Sequence, residues 1–123
     1  MARYTSLFKV AAPVDDLQPA ITNVLEACNM RVIYRDNDYL VAREIPGQVT
    51  FAKLVTVEVL IDRPREHEAK TGELCTPSMA LNFVVKNEEL PLQANNHCRR
   101  MFELVNNTLL DSNSWELLEH VSS

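Results

Sequence analysis

KLVTVEVLID, residues 53–62, decides the fold. Val55, Val57, Val59 and Ile61 fall on every second position, the period of a β-strand with one face in a core. The intervening Leu54, Thr56, Glu58, Leu60 and Asp62 are neither cleanly apolar nor cleanly polar. What that second face meets is the functional question the sequence poses.

The pattern repeats outward from this stretch. In MALNFVVK, Met79, Leu81, Phe83 and Val85 take one face and Ala80, Asn82, Val84 and Lys86 the other. Upstream, MRVIYRDNDYLVARE has a turn in its middle. A two-residue loop at Asp36-Asn37 sets Arg35 opposite Asp38, Tyr34 opposite Tyr39, Val32 opposite Val41 and Met30 opposite Arg43. Met30, Val32, Tyr34, Tyr39 and Val41 then share one face. Arg31, Ile33, Arg35, Asp38, Leu40, Ala42 and Glu44 take the other. A loop at Asn37-Asp38 is the alternative register, and it mixes the two faces. Pro46-Gly47 reads as a type II turn, and TSLFKVAA (5–12) as a first strand.

Two segments carry helical periodicity. Leu17, Ile21, Val24, Leu25 and Cys28 form one stripe, with Asp16 as N-cap, Pro19 in the first turn and Asn29 as the stop. Cys98, Met101, Phe102, Val105 and Leu109 form a second stripe. A short final helix, capped by Ser112 or Ser114, would carry Trp115, Leu118 and Val121. Residues 63–77 are charged and aperiodic and read as a loop. The sequence thus predicts a single α+β domain over 1–123, with a helical tail at 112–123. Its two layers are a mostly antiparallel five-stranded sheet and two helices on one face, in the order β-α-β-β-β-β-α plus a short C-terminal helix. By element order it resembles one repeat of the TATA-binding-protein-like fold and, less closely, the small acidic chaperones of type III secretion. Neither resemblance rests on a motif, so neither carries an activity across.

Composition narrows the function classes. With 123 residues, 46 % of them apolar and 24 % charged, the chain has ordinary globular character. No apolar run approaches the ~18 residues of a membrane span. The opening lacks the long apolar core of a secretory signal, which leads to the expectation of a cytoplasmic protein. The three cysteines, Cys28, Cys75 and Cys98, are odd in number and widely spaced, with no CxxC pair. A net charge of −5 disfavours an extended nucleic-acid surface.

Chemistry-bearing motifs are sparse. The two glycines, Gly47 and Gly72, cannot build a phosphate-binding loop. Glu66-His67-Glu68, with Glu73 and Cys75, holds possible metal ligands, but neighbouring residues rarely converge on one ion, so the stretch reads as a solvated loop. In His97-Cys98-Arg99-Arg100, Cys98 belongs to the buried stripe and the other three spread around the exposed arc, which gives no catalytic pair. Trp115 reads as a lid over one end of the core. No cofactor, metal or catalytic residue is implied.

The face of the sheet away from the helices is the stronger signal. By alternation it displays Leu7, Lys9, Arg31, Ile33, Arg35, Leu40, Leu54, Thr56, Glu58, Leu60, Asn82, Val84 and Lys86. Apolar side chains mixed with arginine are typical of interfaces. Leu7, Lys9, Arg31, Ile33, Arg35, Leu40, Leu54, Leu60, Val84 and Lys86 are the expected partner-binding residues. The expected function is a non-enzymatic interaction, assembly or chaperone-like module that binds a protein partner or a second copy. A competing arrangement is a ligand-sensing or enzymatic pocket between the layers, lined by Tyr34, Tyr39, His97 and Trp115.

Overall fold

A computed structural model of the protein describes residues 1–11, 14–62, 78–89, 96–112 and 115–122. Six strands form one antiparallel sheet: β1 (Ala2–Ala11), β2 (Met30–Arg35), β3 (Tyr39–Glu44), β4 (Thr56–Asp62), β5 (Ser78–Asn87) and β6 (Glu116–Ser122). They lie in the order β2-β3-β4-β5-β1-β6. Helix α1 (Val14–Ala27) joins β1 to β2, and α2 (His97–Leu110) joins β5 to β6. The loop at 63–77, with its metal-like residues and Cys75, lies outside the described residues.

The core lies between the sheet and the two helices. Val57, Val59 and Ile61 of β4, with Leu81, Phe83 and Val85 of β5, meet the helix stripes in one cluster. Both stripes are buried as the periodicity predicts: Leu17, Ile21, Val24, Leu25 and Cys28 on α1, and Cys98, Met101, Phe102, Val105 and Leu109 on α2. Full burial of each large side chain contributes about 1.5–3 kcal/mol. Helix α1 begins at Val14 rather than after Asp16, so Pro19 lies inside the helix and forgoes one hydrogen bond there. Asn29 ends the segment at φ 65°, in the left-handed region that asparagine tolerates. Gly47 has φ 127°, a conformation that a turn glycine supplies without strain.

Two expectations are corrected. The C-terminal segment is a strand: β6 pairs antiparallel with β1, with Leu7 opposite Val121 and Phe8 opposite His120. The sheet therefore has six strands, and there is no helical tail at 116–122. The spacing of Trp115, Leu118 and Val121 suits a helix, but the open edge of β1 supplies a ladder that the local sequence does not reveal. His120 then stacks on Phe8 at a centroid distance of 4.3 Å.

The second correction is the β2–β3 register. Arg35 pairs with Leu40 and Tyr34 with Val41, while Val32 pairs with Ala42 and Met30 with Glu44. The loop is therefore Asn37-Asp38, and a bulge at Ile33 inserts one residue into β2. That bulge restores the inward direction of Val32 and Met30, which the loop alone would have reversed. Leu40, Ala42 and Glu44 consequently face the helices, and Tyr34, Tyr39 and Val41 face away from them. Gln18 of α1 donates to the carbonyls of Asp36 and Asn37 at 2.5 and 2.8 Å, tying the helix to this turn.

Candidate functional site

Side chains on the face away from the helices, uncovered among the described residues, fall into rows that cross the strands, because each antiparallel register sets one residue opposite the next. One row runs Tyr39, Leu60, Asn82, Leu7, Val121. Its neighbour runs Tyr34, Val41, Glu58, Val84, Thr5. Leu60 and Val121 are 49 % and 55 % exposed, and Leu7, Val41 and Val84 are partly exposed. A third row runs Arg31, Arg43, Thr56, Lys86, Arg3, four cations in five positions. The face is thus an apolar band with a basic margin.

Glu58 is the one carboxylate in the band. It accepts from Lys86 Nζ at 3.2 Å and from the Tyr39 hydroxyl at 3.1 Å. Burial, followed by the hydrogen bond to Glu58, holds the Tyr39 phenol above its ordinary pKa. Lys9 pairs with Glu119 at 3.3 Å on the far side of the band.

Leu7, Lys9, Arg31, Leu60, Val84 and Lys86 stand on the uncovered face. Ile33 sits at the bulge, exposed, beside Arg31. Three of the expected partner-binding residues are not available there. Leu40 is fully buried, because the observed register turns it into the core. Arg35 turns toward α1, where its guanidinium donates to the Thr22 hydroxyl at 3.0 Å. Leu54 precedes β4 and is only 6 % exposed. Sequence reasoning missed Tyr34, Tyr39, Val41 and Arg43, all through the same register, and Val121, through the tail.

The competing pocket between the layers does not assemble from its expected residues. Tyr34 and Tyr39 contact each other on the uncovered face, with ring centroids 6.0 Å apart. Trp115 is in the core. His97, the first residue of α2, is buried against Glu44 of β3, its Nε2 at 2.8 and 2.9 Å from the two carboxylate oxygens. Glu44 also accepts the Val55 N–H at 3.1 Å, so the pair fastens the helix to the sheet. Glu89 adds a second fastening by accepting the N–H groups of His97 and Cys98 at 3.1 and 2.9 Å. Burial alone would raise the Glu89 pKa. The hydrogen bonds from Asn87, His97 and Cys98 outweigh it and hold the carboxyl below its ordinary value.

Cys28 and Cys98 are free, buried thiols. Burial first, and the charge of Glu89 second, push Cys98 up to about 12, so it is no nucleophile at neutral pH. Among the described residues, no three His, Cys, Asp or Glu side chains gather as a metal site, and no helix is long and apolar enough to cross a membrane. No protein-family model, curated protein or solved structure matches the chain.

Proposed function

We propose that this chain is a non-enzymatic interaction module that docks a protein partner, or a second copy of itself, through the uncovered face of its sheet. One observation carries the reading. Two adjacent rows gather seven apolar or aromatic side chains, drawn from all six strands, around one neutralised carboxylate. Contiguous apolar surface with a charged margin is the usual anatomy of a docking site. Mixed exposure suits a partner that covers the band, since each large side chain removed from water contributes about 1.5–3 kcal/mol. An assembly or chaperone-like role is the finer form of this proposal. A cytoplasmic setting belongs to it, because free buried thiols suit a reducing compartment.

Light scattering on the purified chain, together with the mass of complexes recovered from its own cells, tests the proposal. The wild type is expected above the monomer mass, alone or with a co-purifying protein, and Leu60→Glu or Val84→Glu is expected to return it to the monomer. A chain that is monomeric and partnerless before any substitution overturns the reading.

A further inference from the structure

At the basic margin of this face, β2 and β3 set Arg31 directly opposite Arg43. Directly opposed like charges destabilise a sheet. Neither guanidinium has an ion pair or side-chain hydrogen bond among the described residues. The two arginines line a cavity of about 260 Å³ with Ile33, Ile45, Phe51 and Leu54, and with Pro46 and Glu44, whose own carboxylate is buried against His97 and the Val55 N–H. Ile33, Ile45 and Phe51 are all exposed, Phe51 at 76 % the most so among the described large apolar residues. A largely apolar cavity, rimmed by two cations that pair with no carboxylate among the described residues, suits an apolar group with a negative charge beside it.

We propose that this cavity anchors an acidic segment of a partner protein. One large apolar side chain of that segment fills the cavity, while a neighbouring carboxylate bridges Arg31 and Arg43. The inference rests on the docking-face reading and names the partner's chemistry. Size favours a side chain over a free ligand, because small-molecule sites run to roughly 300–1,000 Å³. Anchoring by one apolar group beside arginine is how protein interfaces concentrate their affinity. Charge complementarity sets the sign: Arg31 and Arg43 stand in one row with Arg3 and with Lys86, which Glu58 already pairs, on a chain whose net charge is −5. A long polyanion would meet repulsion from the rest of the molecule, whereas a short acidic segment meets only the row. Planar guanidinium groups hold carboxylates in paired hydrogen bonds, which adds orientation to the attraction.

The test is fluorescence anisotropy at low ionic strength. The probe is a labelled, end-capped hexapeptide with one phenylalanine among glutamates. The wild type is expected to bind it saturably. The double variant Arg31→Gln, Arg43→Gln should bind roughly tenfold or more weakly, the loss expected for charge-assisted hydrogen bonds. Phe51→Ser, and a probe with serine for phenylalanine, should each weaken binding about tenfold. All substituted positions lie on the surface, and a cooperative urea transition with a midpoint no lower than the wild type's establishes that the variants are folded; relief of the Arg31–Arg43 repulsion should raise that of the double variant. Absence of binding, or unchanged affinity in either variant, overturns the proposal. So does 3-phenylpropionate binding as tightly as the hexapeptide, which would assign a free carboxylate, or an oligonucleotide displacing the probe, which would assign phosphate. A complex that Leu60→Glu abolishes, alongside a probe that never binds, overturns the anchor and spares the wider docking face. A probe that binds a strictly monomeric, partnerless chain supports the anchor and removes the wider face.

Discussion

Replacing Glu44 by alanine tests how the helix layer is held to the sheet. The Glu44 side chain is 1 % exposed, and its carboxylate meets His97 Nε2 at 2.8 Å and the Val55 N–H at 3.1 Å. Its removal leaves a buried N–H without an acceptor, at about 1–3 kcal/mol. It also breaks a buried pair from one side, which brings the whole loss to about 3–5 kcal/mol. That is a large share of the ~5–15 kcal/mol by which domains are stable. In urea, with a slope of about 2 kcal/mol/M, the midpoint should fall by roughly 1.5–2.5 M. Glu44→Gln keeps an acceptor for Val55 and a donor for the imidazole, and should lose only about 1 kcal/mol. His97→Ala and the double variant close a cycle whose coupling should lie within about 0.5–3 kcal/mol. A loss below about 1 kcal/mol for Glu44→Ala, or strict additivity in the cycle, would refute the argument. Glu44 also lines the proposed anchor cavity, together with Arg43 and Ile45 on either side of it.

Three further outcomes are expected. Leu40→Asp should prevent folding by burying a charge, whereas Leu60→Asp should change stability by no more than about 0.5 kcal/mol; circular dichroism with urea titration separates them, and equal effects would contradict the bulged register. Iodoacetamide at mildly alkaline pH should leave Cys28 and Cys98 unmodified in the native protein and modify both in denaturant, as read by peptide mass mapping, because burial raises both thiols. The folded-state pKa of Glu89 lies below the ordinary 4.5, so its contribution is complete at neutral pH and disappears as the pH falls from about that value through the lower folded pKa. Glu89→Gln should therefore be less stable than the wild type at pH 7 and converge with it in acid; a gap that persists in acid would exclude the carboxylate as the cause.

The parts of this molecule legible in sequence are those where one period fits one partner. Val55 to Ile61 and Met79 to Val85 alternate without interruption, and both helix stripes hold their spacing, so core, layers and helix positions follow directly. The β2–β3 hairpin was not legible, because an extra residue at Ile33 lets two registers share one sequence. Choosing the cleaner alternation reversed Leu40 and Arg35 and hid Arg43, and with it the Arg31–Arg43 pair. The segment from Trp115 to Val121 failed for a different reason. Its strand character depends on the distant edge of β1, and local spacing cannot express a long-range pairing. Phe51 and Ile45 belong to no period at all, and only the folded arrangement brings them to the two arginines.

On the docking proposal, the face of the sheet away from the helices meets another protein or a second copy of the chain. A photoactivatable p-benzoylphenylalanine in place of Leu60, in the middle of the apolar band, tests it in the cells that make the protein, with the same group at Asn107 on the exposed side of α2 as reference. Irradiation should give a discrete adduct from position 60 and none from position 107. Adducts of equal yield from both positions, or none from position 60, would contradict the account.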